Sequence, residues 1–211
     1  MGTAPGAASP PLGSAPPTPK GRRTHQRILE AARVIFARSG YVGARMSDVA
    51  DEAGLSMGGL YRYFGNKEEL FAQLIAGLHD ELFETSTGGE TTLADDPEAT
   101  LLAANRGYLR VYAENRDVMR ALIEAANVDD RFREQWWRMR ARHVERFLWV
   151  WQSAGATLEE AEALLVTEAL AAMVEESAYI WFAHGDADGR EVDVDAAARA
   201  VTHIWRRAFF A

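Results

Sequence analysis

The sequence predicts an all-α protein of nine helices in two parts, and three observations carry that expectation. Of seven prolines only Pro97 lies beyond residue 19, so little interrupts the chain. Apolar side chains recur at three- and four-residue steps rather than alternating, which is a helical period. Serine, asparagine, threonine or glycine stands where helices should open or close.

Residues 1–19 hold the other six prolines among Gly, Ala and Ser, with no charged side chain. That composition buries too little apolar surface to order itself, and a disordered Ala/Pro/Gly tail is expected. Ile28, Leu29, Ala32, Ile35 and Phe36 place a first helix over 24–39, closed by Gly40. A second spans 46–53 and is stopped by Gly54. Ser56 caps a third that reaches residue 64. Asn66, with Glu69 three residues on, forms a capping box for a fourth helix through Leu70, Leu74, Leu78 and Leu82. A polar linker follows over 85–96.

Three more helices are expected over 98–114, 117–126 and 130–153, the last ended by Gly155. Thr157 and Glu160 make a second capping box, opening an eighth helix to about residue 182. "HGDADGREVD" is a loop, and a ninth helix fills 194–209. The division expected from this order is a tail (1–19), a first domain (20–66) and a second domain (67–211).

Composition narrows the function. Without cysteine there are no disulfides, thiolate metal sites or cysteine nucleophiles. No apolar run approaches the roughly 20 residues that span a bilayer, and the N-terminus lacks the charged start and apolar core of a secretory signal. A cytoplasmic protein is expected, with no membrane partner. The net charge of −8 is unevenly spread. Residues 20–67 carry nine basic and four acidic groups; the rest carries fourteen basic and twenty-seven acidic. A polyanion-binding head on an acidic body fits that asymmetry.

The stretch "GLSMGGLYRYFGNKEEL" (54–70) makes the head specific. Two short helices joined by a three-residue turn containing Gly54 have helix-turn-helix form, with the motif over about 45–64. In such a unit the second helix lies in the major groove of DNA. Gly58 and Gly59 should each cost about 1 kcal/mol in a helix interior; the function they suggest is clearance for a backbone lying against a duplex. Tyr61, Tyr63 and Lys67 are placed as phosphate contacts, and Met57 with Arg62 as base readers. Arg45, Ser47 and Ser56 complete the expected DNA-binding set. Alternatively, 46–64 is a helical hairpin inside a bundle. "KGRR" (20–23) reads either as an arm reaching the DNA or as a solvated run of charge.

The segment "RILEAARVIFARSGYVGARMSDVADEAGLSMGGLYRYFGNKEELF" resembles the DNA-binding domain of the TetR family of transcriptional regulators. The resemblance rests on Ile28, Ala31, Ala32 and Phe36, then Gly40-Tyr41, Val49-Ala50, Ala53-Gly54-Leu55-Ser56, Gly58, Leu60-Tyr61, Tyr63-Phe64, Lys67-Glu68 and Leu70. It implies a homodimeric repressor, released from a pseudo-palindromic operator by a hydrophobic small molecule. It also implies that Tyr61 and Lys67 hold DNA phosphates. One departure is Arg45, where members usually carry a Ser or Thr cap; Ser47 is the candidate for a shifted cap. The ending "VTHIWRRAF" resembles actinobacterial members.

In the acidic body, the seventh helix carries one apolar stripe of Trp137, Val144, Leu148 and Trp151. A second holds Trp136, Met139, His143, Phe147 and Val150. A helix apolar over so much of its girth should be enclosed by others. Asn105, Tyr108, Tyr112, Met119, Trp137, Met139, Phe147, Trp151, Met173 and Trp181 are the candidate ligand-binding residues, with Glu175 a further polar anchor. Periodicity alone favours a solid aromatic core; the resemblance favours a pocket. Small residues at close spacing (Ala161, Ala169, Ala172, Ala196, Ala197, Ala200) beside Leu164, Leu165, Val201, Ile204 and Trp205 mark 157–182 and 194–209 as the expected dimer interface.

The competing function is a helical enzyme or binding protein for an apolar molecule, without DNA binding. It lacks sequence support: there is no Gly-x-Ser-x-Gly elbow, no His-Glu-x-x-His and no phosphate-cradling loop. No catalytic residue, metal ligand or cofactor is expected. His143 reads as a core residue, and "DADGRE" (186–191) as a solvated turn.

Overall fold

A computed structural model describes residues 18–87, 89–153, 159–184 and 191–209. Among these residues the chain forms nine α-helices and one π-helical turn, with no strand. It divides into two compact units, Met1–Ala76 and Gly77–Ala211. The division falls inside the fourth helix rather than at its start, where the sequence places it.

The first unit contains α1 (Pro19–Gly43), α2 (Met46–Glu52), α3 (Met57–Tyr61) and the start of α4 (Lys67–Thr85). Helix α1 begins earlier than apolar spacing suggests. Thr18 accepts a hydrogen bond from Gly21 N at 3.1 Å, and Pro19 occupies the first helical position, where a missing N–H is not felt. Residues 20–23 are therefore in the opening of a helix, not an extended arm, and Thr18 and Pro19 of the expected tail belong to that helix start, residues 1–17 lying outside the described ones. At Gly40 the backbone leaves helical geometry (φ 67°, ψ −179°), which returns Tyr41 to the core. There Phe71 lies between Phe36 and Tyr41, at centroid distances of 4.5 and 4.9 Å. Ile28, Ala32, Ile35, Leu60, Phe64 and Leu70 complete this core.

Helix α2 starts at Arg45, which makes no side-chain capping bond. Ser47 is not the shifted cap: it lies inside the helix and its Oγ donates to Asp48 Oδ1 at 3.3 Å. The helix closes at Gly54 (φ 63°), with Gly54 N donating to Asp51 O and Leu55 N to Ala50 O. This pair of hydrogen bonds satisfies the last carbonyls and requires the left-handed conformation that glycine tolerates. Ser56 Oγ then accepts from Gly59 N at 3.1 Å, opening α3 as its sequence predicts. Helix α3 ends at Tyr61, so Tyr63 and Phe64 lie beyond it. The capping box before α4 forms with one displacement: Asn66 Oδ1 accepts from Glu69 N at 2.7 Å, while Glu69 reaches back to Gly65 N.

The second unit holds the rest of α4 with α5 (Pro97–Glu114), α6 (Arg116–Val128), α7 (Asp130–Ser153), α8 (Glu160–Ala178), the π-helical turn Tyr179–Ala183 and α9 (Val194–Phe209). Helices α5 and α9 lie side by side, joined by a buried hydrogen bond from Asn105 Nδ2 to Thr202 Oγ1 at 3.0 Å. Trp151, Phe147, Trp205 and Phe209 cluster at one end, with Phe147 and Trp205 centroids 4.3 Å apart. The expected end of the seventh helix at Gly155, the Thr157 cap and most of "DADGRE" lie outside the described residues.

Helix α7 corrects one expectation. Trp137 and Trp149 are 63% and 69% exposed, and Trp136 is exposed as well. Helix α7 packs against α6 and α8, and Trp137 and Trp149 still keep most of their surface uncovered.

Candidate nucleic-acid interface and ligand cavity

In the head, the loop from α2 to α3 and the start of α3 turn their side chains outward. Arg45, Ser47, Ser56, Met57, Gly58, Tyr61 and Arg62 are exposed; Gly59, Tyr63 and Lys67 are half-buried. The two glycines differ. A Cβ built on Gly58 meets nothing within 4 Å, so nothing inside the protein demands glycine there. A Cβ on Gly59 would come within 3.3 Å of Ser56 Oγ, the atom that caps the helix. Gly59 thus serves the cap, and Gly58 faces open space.

Two of the expected contacts have work inside the head. Tyr63 packs near His25, with centroids 6.4 Å apart; His25 also stacks on Phe64 and bonds Gln73 Oε1 at 3.0 Å. Lys67 Nζ donates to Tyr41 O at 2.9 Å, Ala44 O at 3.2 Å and Val42 O at 3.4 Å, and lies over the Tyr41 ring. Three acceptors match the three ammonium hydrogens. The lysine ties the start of α4 to the end of α1 and Ala44, and Tyr61 and Arg62 face outward beside Met57.

Two cavities between helices of the body are lined by described residues. The larger encloses about 510 Å³. Its walls are helical stripes at i, i+3, i+4 and i+7: Met119, Leu122, Ile123 and Ala126 on α6, and Arg133, Trp136, Trp137 and Arg140 on α7. Ala172, Glu175, Glu176 and Tyr179 continue the pattern along α8 into the π-helical turn, and Tyr108 and Tyr112 close the α5 side. The smaller, about 100 Å³, is lined by Asn105, His143, Phe147, Thr167 and Trp205 among others. Tyr108 and Glu175 line both.

Of the ten expected ligand residues, Tyr108, Tyr112, Met119 and Trp137 line the larger cavity, and Asn105, Tyr108 and Phe147 the smaller. Met139, Trp151, Met173 and Trp181 line neither. Trp151 is a core side chain, 2% exposed against Phe209. Met139 contributes its carbonyl to His79 Nε2 at 3.2 Å. Arg133, Arg140 and Glu176 escape the sequence reading, which draws its candidates from aromatic and methionine positions with Asn105 and Glu175 as polar anchors. Their spacing from Trp136, Trp137 and Glu175 was the available signal.

The cavity's charges are arranged in pairs. Arg140 forms an ion pair with Glu175 and also donates to Glu168 O at 2.7 Å. Burial raises the Glu175 carboxyl above its usual range, and Arg140 opposes that shift. Tyr108 and Tyr112 are pushed up by burial and by Glu175, so both keep their hydroxyl protons. His143 sits edge-on to His79, Phe83 and Tyr108. Burial, then His79 and the nearby Arg146 and Arg142, lower it to about 3, so its ring is neutral. No group of three or more His, Cys, Asp or Glu side chains that could hold a metal occurs among the described residues. Among those residues no helix is long and apolar enough to cross a membrane.

Comparison with known proteins places the head. A family model described as "Bacterial regulatory proteins, tetR family" matches residues 28–74. The chain is 38% identical over 79 residues to the uncharacterized HTH-type transcriptional regulator YfiR of Bacillus subtilis, covering 35% of this chain and 38% of that one. It is 38% identical over 63 residues to the HTH-type transcriptional repressor KstR2 of Rhodococcus jostii, covering 30% of each. These matches thus span about a third of the curated relatives. The crystal structure of a TetR-like transcriptional regulator from Rhodococcus sp. RHA1 superposes over 88% of this chain and 95% of its own, at 27% identity and a TM-score of 0.68. A tetR-family transcriptional regulator from Streptomyces coelicolor shares the fold at 19% identity and a TM-score of 0.73, over 88% of this chain and 79% of its own.

Proposed function

This chain belongs to the TetR family of bacterial regulatory proteins, and on that premise we propose that it is a homodimeric repressor released from operator DNA by a small apolar ligand. The carrying observation is Gly58. It is exposed at the start of α3, its missing Cβ relieves no internal contact, and Met57, Tyr61 and Arg62, its near neighbours in sequence, are exposed with it. A glycine that the fold does not need is accounted for by a surface that must approach something else closely, and the basic head supports a duplex as that surface.

Tyr61 takes a phosphate contact, Met57 and Arg62 lie against base edges, and Lys67 holds the segment that positions them. The larger body cavity takes the ligand. Helix α4, whose residues belong to both units, is the element through which occupancy changes the spacing of two heads. Dimerisation uses the uncovered sides of α8 and α9, where Leu164, Leu165 and Ile204 are exposed.

The test is a gel-shift assay on the DNA upstream of the chain's own gene, across a salt series, with Gly58→Ala beside the parent. Parent binding should weaken steeply with salt. Gly58→Ala should leave thermal stability unchanged or raise it by up to about 1 kcal/mol, while weakening operator binding at least about tenfold, the cost of a few lost contacts. A variant that binds as the parent does removes the clearance role. No salt-sensitive binding to any duplex removes the repressor reading.

A further inference from the structure

We infer that the larger cavity of the body takes a lipophilic cation, an apolar molecule of several rings carrying one positive charge. The inference rests on reading this cavity as the ligand site and adds the ligand's chemical class.

The walls carry the first part of the argument. Tyr108, Tyr112, Trp136, Trp137 and Tyr179 all line this one space. Aromatic faces are electron-rich, and a cation within about 6 Å of a ring centroid is attracted to them. The protein already makes one such contact here, with the Arg140 guanidinium over the Trp137 ring at 5.8 Å. Neutral apolar ligands would gain from the rings' area but not from their polarity.

Charge balance carries the second part. Two guanidinium groups line the cavity, and each has a carboxylate of its own: Arg133 pairs with Asp130 and Arg140 with Glu175. Glu176 also lines the cavity and has no cation at ion-pairing distance among the described residues. The uncompensated charge is therefore negative. An anion entering would meet Glu176 and find both arginines engaged. A cation would meet aromatic faces and a free carboxylate together. The acidic balance of residues 68–211, fourteen basic against twenty-seven acidic groups, concentrates cations around the body. A volume of about 510 Å³ admits a molecule of three or four rings.

The experiment uses three aryl probes of different charge on the full chain, by isothermal titration calorimetry; the two ions share one four-ring shape and the neutral probe has one ring fewer. They are the tetraphenylphosphonium cation, neutral triphenylphosphine oxide and the tetraphenylborate anion. The phosphonium should bind about tenfold tighter than the oxide, and the borate more weakly than either. Glu176→Gln, at an exposed position, should reduce the phosphonium affinity to within about threefold of the oxide and leave the oxide unchanged. Equal affinity for all three probes, or preference for the borate, overturns the inference while leaving the cavity as a ligand site. A phosphonium preference that survives Glu176→Gln overturns the role given to that carboxylate. Failure of all three to bind overturns the cavity reading along with the inference.

Discussion

Lys67 makes three intramolecular hydrogen bonds to the carbonyls of Tyr41, Val42 and Ala44, which makes it a structural clamp of the reading head. Lys67→Met keeps the aliphatic stem and removes all three donors. It should destabilise the protein by about 1–3 kcal/mol in urea unfolding, and leave the salt slope of DNA binding unchanged. A slope reduced by about one phosphate would assign the lysine to DNA instead. His143 gives a second expectation, in pH. Its pKa falls from 6.5 toward about 3 in the fold, so between those values the unfolded chain binds a proton that the native chain does not. The stabilising contribution is complete above pH 6.5 and is lost as pH falls through that window, at up to about 1.4 kcal/mol per unit. His79 is shifted the same way, by burial and then by Arg142. Unfolding free energies at pH 7 and pH 5 should differ by about 1–2 kcal/mol more in the parent than in His143→Gln.

At the scale of elements, α5 meets the end of α4 with no room to spare. A Cβ on Gly107 would lie 1.8 Å from Thr85 O, and a backbone carbonyl cannot swing aside as a side-chain tip can. Gly107→Ala should force the helices apart and cost about 1–3 kcal/mol, read as a fall of several degrees in Tm by calorimetry. Nothing in the spacing around Gly107 reveals this contact, because it depends on a helix more than twenty positions away. The caps are the opposite case. Ser56, Gly54 and the Asn66–Glu69 pair act on neighbours within a few residues, and each sits where the sequence places it. Where local reading missed, as at the start of α1, the cap pair Thr18 and Pro19 was hidden inside a segment judged by its composition.

For the whole molecule, the α9 side chains divide between two surfaces. Ala197, Val201 and Trp205 are buried within the second unit, while Ile204 is 45% exposed and Ala196 and Ala200 are exposed with it. Leu165 on α8 is 67% exposed. Ala161, Ala169 and Ala172 on α8 are exposed too, so of the small-residue pattern only Ala197 is withheld from a second copy. Leu165→Glu should convert a dimer to a monomer in sedimentation velocity, since a charge in the centre of an apolar interface is costly to desolvate. Operator affinity should fall with it, because two linked heads bind far more tightly than one. An unchanged sedimentation coefficient would place the contact elsewhere.

The sequence by itself determined the all-α class, the order of the helices, the turn at Gly54 and the outward face of the reading helix. All of these follow from interactions between residues a few positions apart. It also carried the four-residue stripes that wall the larger cavity, though not which stripe faces inward. Tertiary structure decided the rest. It left Trp137 and Trp149 largely exposed and Trp151 buried on one helix, set Lys67 against three carbonyls, and, among the described residues, gave Glu176 no cation at ion-pairing distance. Those outcomes depend on which helix lies against which. A side chain's exposure and partners are set by neighbours distant in the chain, and a single helix's periodicity records only that some face is buried.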